Sequence, residues 1–123
     1  MSATYNGVKM EPLHDLELTP KMADVVKVFL EDPQRERYGF ELMRITGQGS
    51  GAIYPNLAKL QRAGWLTVGK EDIDPRLARR PARRFYRITG AAVSVARVQL
   101  AALSARYRPP TAAPRLAPGG ATL

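Results

Sequence analysis

Breaks in the chain cut residues 19–64 into three short helices, and that succession constrains the fold more than any other feature of the sequence. Thr19-Pro20 is a helix start, since threonine can cap free N–H groups and proline at the first helical position forfeits no hydrogen bond. Met22, Val25, Val26 and Phe29 follow at i, i+3, i+4 and i+7, one apolar stripe. Asp32-Pro33 ends it, because the residue before proline avoids the helical region. After a polar connection over 34–37, Gly39 to about Thr46 reads as a second helix, with Phe40, Leu42, Met43 and Ile45 as its apolar surface. It stops at Gly47-Gln48-Gly49. Ser50 is expected to cap a third helix, which runs to about Ala63 with Ile53, Leu57 and Leu60 facing inward and Gly64 closing it. Two short helices joined by a glycine-containing turn are the raw material of a helix-turn-helix, although any pair of packed helices shares that pattern.

The following residues narrow the choice. Trp65-Leu66-Thr67-Val68 is strand-like, as is Arg83 to Ile88, and the polar loop between them carries Asp72, Asp74 and Pro75. Helix, helix, helix, hairpin is the order of a winged helix, so the expected fold is mainly α with one small β-hairpin. Thr89 then caps a fourth helix from Gly90 to about Tyr107. Its Val93, Ala96, Leu100, Leu103 and Tyr107, spaced 3, 4, 3, 4, form the seam of a helix that packs lengthwise on another. Pro109-Pro110 stops it. The expected division is an arm (1–18) without clear periodicity, a winged-helix domain (19–89), a C-terminal dimerisation helix (90–108), whose stripe could instead pack back on the first helix of the same chain, and a tail (109–123) rich in Ala, Pro and Gly.

Charge gives the first indication of a partner. The net charge is +8, but residues 1–74 hold 9 basic and 11 acidic side chains, whereas residues 75–123 hold 10 arginines and no acid. Lopsided basic charge points to a polyanion, nucleic acid or an anionic membrane surface; a solvated basic tail is the bland alternative. Six of those arginines fall between Arg76 and Arg87, inside the hairpin, which disfavours the tail. With no cysteine and one histidine, His14, the chain has no means for thiol chemistry or a Cys/His metal site, and no metal or cofactor is expected. No run of some 18 apolar residues suggests a membrane span, and Met1 to Lys9 lacks a signal pattern, so a cytoplasmic protein is the simplest expectation. Without a phosphate-cradling glycine loop or paired carboxylates on a recognisable scaffold, an enzyme is not expected; Asp72 and Asp74 read as turn residues.

Four segments together resemble the PadR family of bacterial transcriptional regulators: Tyr38-Gly39-Phe40-Glu41-Leu42; Ser50-Gly51-Ala52-Ile53-Tyr54-Pro55-Asn56-Leu57-Ala58-Lys59-Leu60; Ala63-Gly64-Trp65-Leu66; and Arg83-Arg84-Phe85-Tyr86-Arg87-Ile88-Thr89. The resemblance covers roughly residues 19–107. It implies a winged helix-turn-helix, dimerisation through the C-terminal helix, and usually repression of nearby genes. Two departures stand out. The family's usual Gly-Arg-Pro in the wing is here Arg79-Arg80-Pro81, and its acidic residues after the wing threonine are here Gly90-Ala91-Ala92. Some family members respond to small-molecule effectors, but no residue here assigns such a site.

On this reading the third helix enters a major groove of double-stranded DNA. Its outer face carries Ala52, Pro55, Asn56, Lys59 and Arg62. Asn56 can pair bidentately with adenine, and Lys59 and Arg62 can reach guanine or phosphate. The helix N-terminal amides near Ser50 can hold a phosphate. The resemblance gives Tyr54 a phosphate contact through its hydroxyl; a core or edge aromatic is the alternative. Arg79, Arg80, Arg83 and Arg84 are the wing candidates, with Tyr86 and Ile88 turned to the core. A homodimer would meet an inverted-repeat operator, half-sites roughly one helical turn apart. The competing reading is a winged-helix interaction module that docks an acidic protein.

Overall fold

The computed structural model describes residues 13–106, and residues 3–5 and 8–10 by backbone alone. Helix α1 (Pro20–Glu31) begins where Thr19 accepts a hydrogen bond from the Met22 amide, 3.2 Å, and buries Met22, Val25, Val26 and Phe29. Helix α2 (Gly39–Thr46) contributes only Leu42 fully to the core, with Met43 packed against it. Phe40 and Ile45, expected to supply apolar surface, are 41% and 48% exposed. Eight residues make about two turns, and a helix this short can turn only one narrow stripe inward. Helix α3 (Ser50–Arg62) follows, with Ile53, Leu57 and Leu60 wholly buried. Its N-cap is Gly49, and Ser50 is its first helical residue, making no cap hydrogen bond. That corrects the expected cap by one position; glycine is tolerated there and frees the serine side chain.

The end of α3 is tightly closed. Gly64 adopts φ +78°, its amide donates to the Gln61 carbonyl at 3.0 Å, and the Trp65 amide donates to the Leu60 carbonyl at 2.9 Å. This Schellman turn satisfies the last carbonyls and swings Trp65 into the centre of the core, where it is fully buried. Its indole Nε1 donates to the His14 carbonyl, 3.0 Å, while the His14 amide donates to Ala63. The segment before α1 is therefore fastened to the end of α3, and Leu18 joins the core.

Strands β1 (Ala3–Tyr5) and β2 (Val8–Met10) pair antiparallel with each other. The main sheet has three antiparallel strands in the order β3-β5-β4: β3 (Arg37–Tyr38), β4 (Leu66–Lys70) and β5 (Arg84–Ile88). The hairpin β4–β5 matches expectation, with Leu66 opposite Ile88 and Tyr86 and Ile88 buried. The third strand does not: residues 34–37 read as a connection, yet Arg37 pairs with Tyr86 and Tyr38 with Phe85. Arg37 is itself buried, its guanidinium donating to the Val28 carbonyl near the end of α1, 3.2 Å, and lying 3.6 Å from Glu31. A cation at that helix terminus meets the negative end of the dipole.

A single helical turn, α4 (Pro75–Ala78), lies between β4 and β5, and helix α5 (Gly90–Arg106) starts at a knot around Thr89. The Thr89 hydroxyl donates to the Gly64 carbonyl, 3.1 Å, and accepts from the Ala92 amide, 3.3 Å, while its own amide donates to the Trp65 carbonyl. One residue thus caps α5 and binds it to the closing turn of α3.

Candidate nucleic-acid interface

The surface opposite the core is made by the outer face of α3 and by the wing. Ser50, Tyr54, Lys59 and Arg62 are exposed on α3, and Ala52 and Asn56 are half-buried between them. Tyr54 is 46% exposed, which places it at an edge and not in the core. Its position is set by Gly39, the first residue of α2, against whose backbone the Tyr54 ring lies. A Cβ on Gly39 would fall 2.6 Å from the Tyr54 hydroxyl oxygen and 2.7 Å from Cε1. Nothing larger than hydrogen fits while the Tyr54 ring keeps this position. Gly39 is the residue whose role the sequence reading missed; the Tyr-Gly pair at the head of a helix was its signal.

The root of the wing is joined to the head of α2 by a chain of rings. The Phe85 ring covers Gly69 across the sheet. It meets Tyr38 edge to face at 6.2 Å, and Tyr38 stacks on Phe40 at 5.6 Å. The Arg83 guanidinium lies 4.9 Å above the Phe40 ring. Cation–π contact holds that arginine in place without neutralising it, and it accounts for a large aromatic left on the surface. Burial pushes the Tyr86 phenol up, with the nearby Arg84 guanidinium pulling it down. Together Tyr38, Gly39, Phe40, Tyr54, Arg83 and Arg84 line an open groove of about 370 Å³ between α3 and the wing.

The wing loop is more ordered than a polar turn. Asp74 accepts from the Arg76 amide and caps one helical turn, α4 (Pro75–Ala78), which ends at Arg79 with φ 58°. Arg79, Arg83 and Arg84 are exposed. Leu77, 84% exposed, stands at the tip. Arg80 does not join the other three: its guanidinium makes a two-pronged pair with Glu71, Nη1 to Oε1 at 2.6 Å and Nη2 to Oε2 at 3.1 Å. That pairing raises the Arg80 pKa, and with the Arg83 amide it holds the Glu71 carboxyl down at about 2.

Of the seam residues, Ala96 is wholly buried, and Val93, Leu100 and Leu103 pack partly on the same core. All four seam residues that are described thus serve packing within the chain, Ala96 fully and the other three in part. Leu103 is a ridge between two grooves. One, about 360 Å³, lies beside residues 15–18; the other, about 230 Å³, lies beside the start of α1. Tyr107 lies outside the described residues.

No family model and no curated protein matches the chain. Solved structures do match in fold. smu.1704 from Streptococcus mutans is 16% identical with a TM-score of 0.55, over 74% of this chain and 84% of that one. A ZitR mutant from Lactococcus lactis is 16% identical with a TM-score of 0.53, over 85% and 72%. The circadian clock associated protein Pex from Anabaena is 16% identical with a TM-score of 0.50, over 80% and 89%. The fold is a winged helix-turn-helix. Among the described residues, no helix is long and apolar enough to cross a membrane.

Proposed function

We propose that this chain is a sequence-specific double-stranded DNA-binding transcriptional regulator of the PadR type, a repressor that acts as a homodimer on an inverted-repeat operator. The observation that carries the reading is the groove between α3 and the wing. Residues as far apart in sequence as Tyr54 and Arg84 converge there, with phenol and guanidinium groups at its rim and no carboxylate lining it. Such a groove suits a phosphodiester strand passing between a helix in the major groove and a wing on the neighbouring backbone. Asn56 supplies base choice from the exposed side of α3, Lys59 and Arg62 reach base or phosphate, and Arg79, Arg83 and Arg84 supply sequence-independent affinity.

The homodimer forms along the C-terminal half of α5, where Leu100 and Leu103 stay only partly covered by the chain's own core. The role is binding, not catalysis. Selection of bound duplexes from a random pool, followed by affinity measurements over a range of salt, tests the reading. A palindromic consensus and a steep salt dependence are expected. Capture of an acidic protein with no enrichment of any duplex would replace it with the protein-docking alternative.

A further inference from the structure

Every other acid near the wing has a plain local role or none, but Glu71 is tied to three groups at once. Its backbone amide donates to the Arg83 carbonyl, 2.9 Å, and its Oε1 accepts from the Arg83 amide, 2.8 Å, closing the loop at its base. Both carboxylate oxygens accept from Arg80. Arg80 in turn donates from Nη1 to the Pro81 carbonyl and from its amide to the Pro75 carbonyl. The Glu71 side chain is 14% exposed, that of Arg80 34%. The fork geometry matches guanidinium to carboxylate face to face, the strongest form of such a pair.

We propose that Glu71 is the positioning residue of the wing: its clasp on Arg80 and on the Arg83 amide fixes the course of residues 71–83 and so presents Arg79, Arg83 and Arg84 to DNA. The inference rests on the DNA-binding reading above. Its consequence runs against simple electrostatics. A carboxylate beside a phosphate-binding surface repels the polyanion, so removing it should tighten binding and free Arg80 as an extra contact. If the clasp sets the wing's path, removing it weakens binding although the net charge rises by one.

The test uses the full chain and the duplex recovered by selection, with an unrelated duplex of equal length, by fluorescence anisotropy at several salt concentrations. Glu71→Gln and Arg80→Gln should each weaken binding by about three- to tenfold, and the double variant should be no worse than either single one. Glu71→Gln and Arg80→Gln should make the salt slope shallower to a similar degree, because each releases the phosphates that the clasp lets Arg79, Arg83 and Arg84 meet, whereas a free Arg80 gained as a new contact would make the Glu71→Gln slope steeper. Arg84→Ala should make the slope shallower by about 0.9 per subunit. Arg80→Lys should fall with Arg80→Gln, since an ammonium cannot form the fork. The melting temperature should stay at the wild-type value in all of them, because the loop lies outside the core, so loss of fold is separated from loss of presentation.

Tighter or unchanged binding by Glu71→Gln, or wild-type binding by Arg80→Lys, would overturn the inference while leaving the DNA-binding reading in place. A wild-type chain that binds no duplex at any salt would overturn both.

Discussion

Replacing Gly39 with alanine should separate the position of Tyr54 from the stability of the fold. The new Cβ would stand 2.6 Å from Oη, 2.7 Å from Cε1 and 2.9 Å from Cζ of Tyr54. Ordinary contacts between such atoms begin near 3.5 Å, so the ring must retreat by about 1 Å. Because Tyr54 is 46% exposed, it can swing outward instead of compressing the core. Overpacking costs typically about 1–3 kcal/mol, and the low end applies where one side is open. Alanine also recovers up to about 1 kcal/mol of helix propensity over glycine. The two nearly cancel, so thermal unfolding followed by circular dichroism should shift by no more than a few degrees.

Binding should not be spared. A hydrogen bond to a charged group contributes about 1.5–3 kcal/mol, and a hydroxyl moved by 1 Å loses most of it, roughly a tenfold or greater loss in affinity. Tyr54→Phe should produce a similar loss without the steric change, and the double variant should lose little more than either. Wild-type affinity in Gly39→Ala, measured by anisotropy on the selected duplex, would refute the reasoning about Tyr54 while leaving the fold intact.

Thr89→Val should destabilise the chain by about 2 kcal/mol, since it removes a helix cap and orphans the buried Gly64 carbonyl; a thermal melt within a degree of wild type would contradict that. Leu103→Asp should shift sedimentation at micromolar concentration from dimer to monomer, whereas Val98→Asp, at a position 71% exposed on the other side of α5, should not; a wild-type monomer would sink the dimer. Asn56→Ala should cost about 1–3 kcal/mol on the preferred site and relax base choice at one position per half-site, and an unchanged consensus on reselection would refute its role. The Glu71 carboxyl titrates near 2, below its ordinary 4.5, so its contribution to wing order is complete above about pH 4.5 and is lost as pH falls toward 2. The Arg83 amide shift followed by NMR should titrate near the lower value; a midpoint at the ordinary one would show that the clasp is open.

What the sequence made legible was what side-chain periodicity and local caps encode. Met22, Val25, Val26 and Phe29 are all buried, as are Ile53, Leu57 and Leu60, because a stripe at 3.6-residue spacing has one physical solution. Strand β3 was invisible for the opposite reason. Its two residues carry no period, and they are in a sheet only because β5, far along the chain, offers free backbone groups. The α5 seam was ambiguous in principle: a 3-4 spacing says that a helix packs lengthwise, and the chain's own core takes up Ala96 fully and Val93, Leu100 and Leu103 in part. The wing arginines were found by counting charge, but counting could not reveal that Arg80 is spoken for. Glu71 and Arg80 are nine residues apart with a proline-led turn of helix between them, and only the folded loop brings them face to face. Asp74-Pro75 did hold the signal for that turn, a cap followed by proline at the first helical position.

The central position of β5 ties the wing to the head of α2, and through Gly39 to the Tyr54 ring of α3, so that α3 and the wing stand like the fixed jaws of a caliper. Residues 37 and 38 are hydrogen-bonded to β5 and run without a break into α2, while β5 itself emerges from the wing loop. Neither jaw can open without breaking strand pairing and the stack of Phe85, Tyr38 and Phe40. On the function proposed above, a duplex gripped by both would have to bring its major-groove floor and its neighbouring backbone to the protein's gauge. Stiff and pliant base steps between those two points would then be ranked by the work needed to fit, a form of sequence choice at positions that no side chain touches.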